Sequence, residues 1–208
     1  MGIPTLINTL TADGDTSVAF TSNINSTYDE YMFVFTDIHF NVDDKQLETS
    51  FSDDGGSSYG IIKTTTFFEV IHTEADDVAL VRYGTGGDTA QTDTAVSILD
   101  SMGDGADESG ASIMHLFNPA STTYVKHFWA TSTESNTHNS VKQNFHTGYL
   151  NTTSAIDAIK WTGSAGSETY AQSDFIGGYI NDTTAIDEIQ FKMSSGNFDG
   201  VIQLFGIS

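Results

Sequence analysis

The sequence predicts an all-β fold, an antiparallel β-sandwich of jelly-roll-like type, in one domain spanning 1–208. Three observations predict it. Thr, Ser, Gly, Phe, Tyr, Val and Ile dominate while strong helix formers are sparse, which suits a pleated, half-buried backbone. Strand-like runs recur about every 8–12 residues with Gly, Asn, Asp and Ser between them, the rhythm of a sandwich or barrel. A chain of 208 residues also encloses one well-buried core, and all-β sandwiches of this size are usually single domains.

Residues 1–12, where Asn8 and Thr9 interrupt the apolar run, read as an N-terminal arm. The first strand is "TSVAFT" (16–21), followed by "EYMFVFTDIHF" (30–40). In the latter, Tyr31 to Phe35 are apolar on both faces, so a central strand covered from both sides is expected. "KQLETSFS" (45–52), "YGIIKTTTFFEVIH" (59–72) and "VALVRYG" (78–84) come next. Segment 63–83 is ambiguous, because "FFEVIHTEADDVALV" also fits a short helix. "TAVSILDSM" (94–102), "ASIMHLFN" (111–118) and "TYVKHFWATST" (123–133) continue the series, and "VKQNFHTGYL", "AIDAIKW", "DFIGGYI", "AIDEIQFKMS" and "GVIQLFGI" complete it. Gln203 between Ile202 and Leu204 gives the last strand one partly wet face.

The tail contains a duplication. "GYLNTTSAIDAIKW" (148–161) returns thirty residues later as "GYINDTTAIDEIQF" (178–191), with eight of fourteen positions identical. Phe145/Phe175, Ser164/Ser194 and Gly166/Gly196 extend the match, so the duplicated unit covers 145–166 and 175–196. Each copy reads as a hairpin: a strand, a polar Asn/Thr turn, and a second strand. Solenoids and propellers usually need three or more repeats, so two copies fit a duplicated hairpin inside one sandwich.

The charge balance excludes whole classes of partner. Seven basic residues stand against 28 acidic ones, a net charge of −21, and Arg82 is the single arginine. Nucleic-acid binding needs Lys and Arg to displace phosphate counterions, and an anionic membrane surface would repel this chain. High ionic strength would screen the self-repulsion, so the surface suits a saline habitat. With no cysteine, disulfides and thiolate zinc sites are excluded. "MGIPTLINTL" lacks a basic n-region, so no signal peptide is expected, and no apolar run is long enough for a membrane span.

Four constellations invite a chemical reading. In "SDDGGSSY" (52–59), Ser52, Asp54, Gly56, Ser58 and Tyr59 fit the spacing S-x-D-x-G-x-[ST]-aromatic of the Asp-box in sialidase-type propellers. A lone arginine cannot supply the cluster that sialidase chemistry needs, and calcium needs six to eight oxygen ligands. A structural turn at Ser52, Asp54, Gly56 and Tyr59 is therefore favoured, with the glycines taking positive φ. The loop "DSMGDGADESG" gathers Asp100, Asp104, Asp107 and Glu108, the best calcium candidates on composition, although a solvated connection fits better. Histidines 39, 72, 115, 127, 138 and 146 lack HxH or HxxxH spacing; a zinc site from His127, His138 and His146 would need three strands to converge. Trp129 and Trp161 could stack on sugar rings as binding residues, against the alternative that they fill the core. Asn25, Asn151 and Asn181 open glycosylation sequons that read as turn chemistry. No nucleophile elbow is present, so no catalytic residue, metal or cofactor is assigned.

Four segments together resemble a family of virion structural proteins from marine tailed phages of the cyanophage and pelagiphage kind. They are "FTSNINSTYDEYMFVFTDIHF" (20–40), "FSDDGGSSY" (51–59), "HLFNPASTTYVKHFWATS" (115–132) and "GYINDTTAIDEIQFKMSSGNFDGVIQLFGI" (178–207). The close, a Ser-Ser-Gly-Asn turn followed by an aromatic-Gly-Ile strand end, is matched by Ser194 to Asn197 and Phe205 to Ile207. The resemblance implies a non-enzymatic β-sandwich displayed on the particle, attached to capsid or tail as a decoration or accessory protein. Its implied partners are other virion proteins and further copies of itself, and its implied location is the virion, assembled in the host cytoplasm. The duplication departs from the single C-terminal hairpin of that pattern. An alternative reading is a carbohydrate-binding receptor adhesin of a tail fibre or tip, with a host glycan as partner.

Overall fold

The computed structural model describes residues 3–85, 87–136, 140–165, 175–193 and 196–207, with backbone only at 136, 140–142, 163–165 and 175–189. The fold is all-β. Among the described residues thirteen strands follow in order: β1 (Thr5–Asp15), β2 (Ser17–Phe20), β3 (Glu30–Phe40), β4 (Lys45–Ser52), β5 (Lys63–Thr73), β6 (Ala79–Tyr83) and β7 (Thr89–Thr92). Then come β8 (Val96–Met102), β9 (Gly110–Phe117), β10 (Lys126–Asn136), β11 (Ser140–Ala165), β12 (Phe175–Met193) and β13 (Phe198–Ile207). Among the described residues no helix is long and apolar enough to cross a membrane.

The strands form a sandwich with two walls. One wall runs β1-β13-β3-β9-β10 and continues through the first half of β11 to β5, which carries β6 and β7. The other wall joins β2 to the second half of β11, then β4 and β8. At 26 residues β11 is long enough to cross from one wall to the other. Among the described residues all pairings are antiparallel except β11 with β12, which run parallel with equivalent residues of the duplication in line at both ends and one residue out of register at Thr153–Ala155.

The core is aromatic because β3 points three rings inward. Tyr31, Phe33 and Phe35 are almost wholly buried. Phe33 and Phe35 meet Trp161 of the opposite wall at ring-centroid distances of 5.2 and 5.3 Å. Phe51 of β4 meets Phe128 of β10 at 5.1 Å. Burying each such ring contributes roughly 1.5–3 kcal/mol, and tilted or edge-on geometry adds to this.

Several expectations change. β3 is central, between β13 and β9, but only one face is fully covered. Met32 and Val34 are half-buried, since the wall's outer face has only neighbouring side chains above it. Residues 5–12 belong to β1, paired along β13, so the expected arm is a sheet strand whose apolar residues meet the core at Leu10 and Ala12. Segment 63–83 is two strands and no helix. In β5, Lys63, Thr65, Phe67, Glu69 and Ile71 share the buried face, a two-residue period that a helix cannot satisfy. Each copy of the duplication is one long strand. Its Asn/Thr stretch shifts the β11–β12 register between Leu150 and Thr153, bending the chain where a reversal was expected.

Candidate functional site

The outer face of the β9–β10–β11–β5–β6 wall carries the clearest cluster of exposed aromatic chemistry. In adjacent strands, residues directly opposite one another bring their side chains together on one face. His115 of β9 and Trp129 of β10 are such partners, and their rings stack at 4.4 Å with planes 13° apart. The His115 ring nitrogen also contacts the Glu30 carboxylate, which fixes the ring beneath the indole. On the strands that follow, Phe145 of β11 lies opposite Phe68 of β5, and Phe68 opposite Tyr83 of β6. Phe68 and Phe145 stack at 4.9 Å. Trp129 is 38% exposed, Phe68 45% and Tyr83 59%, more than rings used for packing alone.

Between these groups lies an open cavity of about 320 Å³, lined by Thr66, Phe68, Tyr83, Trp129, Phe145 and Thr147 among others. Its rim is polar. Thr66 donates to the Tyr83 hydroxyl at 3.1 Å, and that hydroxyl contacts the Asp88 carboxylate. Nearby, Gln91 donates to the hydroxyls of Thr64 and Tyr149, each at 2.8 Å. Flat rings beside hydroxyls, amides and a carboxylate suit a ligand with one apolar face and hydroxyl edges.

The two tryptophans therefore separate: Trp129 sits on this face, and Trp161 is completely buried. Phe68, Tyr83 and Phe145 were not singled out from sequence. A signal did exist, because adjacent Phe67 and Phe68 in a strand must face opposite sides; Phe67 is buried and Phe68 is not.

The 52–59 segment is a structural turn. Ser52 donates to the Asp54 carboxylate at 2.7 Å, and Ser58 donates to it through both its amide (2.8 Å) and its hydroxyl (2.7 Å). Gly56 N–H donates to the Ser52 hydroxyl at 2.9 Å. Burial alone would raise the Asp54 pKa, but hydrogen bonds from Ser58, Ser52 and Ser57 outweigh it and hold the carboxyl below its usual range. Gly55 and Gly56 have φ of 74° and 75°, the left-handed region that glycine enters without penalty. Asp157 of β11 accepts the Gly55 amide at 2.5 Å, and the Lys160 ammonium lies 4.8 Å from the centre of the Tyr59 ring.

The acidic loop spreads its carboxylates apart. Asp100 is buried and contacts the Gln46 amide, while its own N–H donates to Glu134. Glu108 accepts the Gly105 amide at 2.7 Å within its own loop. Among the described residues no three His, Asp or Glu side chains gather where they could hold a metal. The described histidines are dispersed: His39 contacts the Gly105 carbonyl, His72 contacts Asp76, and His146 is buried flat against Phe67. His138 lies outside the described residues. Asn25 caps its own turn by accepting the Thr27 amide, and the Asn151 amide contacts Gln91. The side chain of Asn181 lies outside the described residues.

Two buried lysines, Lys63 and Lys126, escaped the sequence reading. Lys63 is wholly buried, donating to the carbonyls of Ile61 and Asp93 at 3.1 Å each. Burial lowers its pKa to about 7, opposed by Asp93 and Glu48. The single arginine, Arg82, pairs with the fully buried Glu69. Lys63 rests on backbone carbonyls inside the sheet, and Arg82, partly exposed on β6, reaches a buried carboxylate; both are structural arrangements.

No protein-family model matches the chain, nor does any curated protein sequence or solved structure.

Proposed function

We propose that this chain is a non-enzymatic structural protein of a phage virion, a surface-displayed β-sandwich attached to capsid or tail in many copies. The observation that supports this reading is where the resemblance falls. Its four segments include β3, the end of β4 with its turn, the end of β9 with most of β10, and most of β12 with β13. Those elements make the framework of the sandwich, so the shared pattern is one of architecture. Other virion proteins and further copies of this chain are its partners, and closed symmetry favours a dimer or trimer. Mass spectrometry of purified virions should find the chain at structural-protein abundance. Its absence from intact particles would end this reading.

The exposed aromatic face supports a second reading, in which the module also binds host carbohydrate. Trp129 and Phe68 offer two flat surfaces, and aromatic stacking needs such a surface beside hydrogen-bonding edges. A glycan array should then show binding that Trp129→Ala reduces at least tenfold, about 1.4 kcal/mol. An array blank with and without calcium would eliminate the glycan role and leave the structural one standing.

A further inference from the structure

β11 and β12 are registered on the same neighbours. Thr147 and Gly177 both oppose Thr66, and Leu150 and Ile180 both oppose Lys63. Ile159 and Ile189 both oppose Phe20. Trp161 and Phe191 both oppose Thr49. On β10 the hairpin register set by Ser132 opposite Asn144 continues as Thr131 opposite Phe175, displaced by thirty residues. The same offset recurs on all four neighbouring strands, and it is the period of the duplication.

A strand has two edges and accommodates one neighbour on each. Thr49 nevertheless opposes Trp161, Phe191 and Val96. Thr65 opposes Gly148, Gly178 and Thr89. The side chains repeat the conflict. Trp161 and Phe191 are directed to the same place in the core. Both rings also pack against Phe33 and Phe35. One core pocket has two claimants.

We infer that the duplication supplies two interchangeable occupants for a single strand position: residues 145–165 or residues 175–193 complete the sandwich, and the other copy is carried in the connection between β10 and β13. The substitution pattern agrees. Ala155, Ile156, Asp157 and Ile159 are buried in the first copy, and the same four residue types recur at 185, 186, 187 and 189. Where the copies differ, their competing preferences are legible. Ala158 is wholly buried, and its counterpart is Glu188, whose carboxylate would be costly in that place. His146 is buried in the first copy, and its counterpart is Ile176, which an apolar site accepts more readily. The chain thus holds two folded arrangements related by a thirty-residue shift.

The test is a double-mutant cycle on the shared pocket. A buried carboxylate bars either copy from the core, so Trp161→Asp should force the second copy in and Phe191→Asp the first. Each single variant should melt cooperatively within about 10 °C of the parent, less than the loss of an irreplaceable core ring would produce. The double variant should lose the fold. A single variant falling by more than that, or a double variant no worse than the singles, overturns the inference. Deleting residues 148–177, which leaves one complete copy, provides a second measurement. The shortened chain should keep the parent's far-UV circular dichroism and cooperative melt, and an unfolded product would also overturn it.

Discussion

Lys63 shows how a single residue couples this core to pH. Its ammonium lies inside the sheet, and burial brings the folded-state pKa to about 7, against about 10.4 in an unfolded chain. Below pH 7 both states hold the proton, so the folded state bears the full cost of a buried charge. Between about 7 and 10.4 the folded protein has released that proton while the unfolded chain still holds it. Stability contributed by this group must therefore rise with pH across that window. Lys63→Met should flatten the rise and make the protein more stable than the parent at pH 6. Denaturant unfolding at pH 6 and pH 9 checks this, and an unchanged slope in the variant would place its source elsewhere. Burial of Lys63 carries no sequence signal, since a lysine beside three threonines reads as a solvated strand position.

At the scale of elements, the 52–59 turn decides where β4 leaves the wall and the chain heads for β5. Asp54 binds the turn's own amides and hydroxyls, and two consecutive glycines adopt positive φ. A β-branched residue is strained there, so Gly56→Val should destabilise the fold by about 1–3 kcal/mol, measured by thermal or denaturant melting. Elements of this kind were readable in advance. β3 and β4 begin and end at the residues their alternation and turn signals predict. The short, fully exposed strand β6 and the partners of β5 were harder, because edge pairing leaves little hydrophobic pattern in the chain. The candidate aromatic face was half legible. Trp129 could be named as a stacking residue, but its stack on His115 and the Phe68–Phe145 pair require cross-strand register, which alternation alone does not supply.

For the whole molecule, the governing quantity is a net charge of −21 on 208 residues. Folding brings those carboxylates closer together than they are in the unfolded chain, so their repulsion opposes the compact state. Raising ionic strength from about 0.05 to 1 M shortens the screening length to roughly 3 Å. The melting temperature should rise by several degrees over that range, with chloride salts as the check. A flat response would show that the surface charges are already neutralised locally. The same screening is what would let many copies assemble at high local density on a particle.

The sequence by itself determined the fold class, the order of most strands and the acidic character, because these depend on local alternation, turn chemistry and a charge count. It also displayed the thirty-residue duplication openly. Only the tertiary structure decided what that duplication does to the sheet. Two segments can carry the same strand pattern and each be locally correct, yet a strand edge accepts one neighbour and a core pocket one ring. That competition exists only once β2, β4, β5 and β10 have built the place for which both copies are shaped.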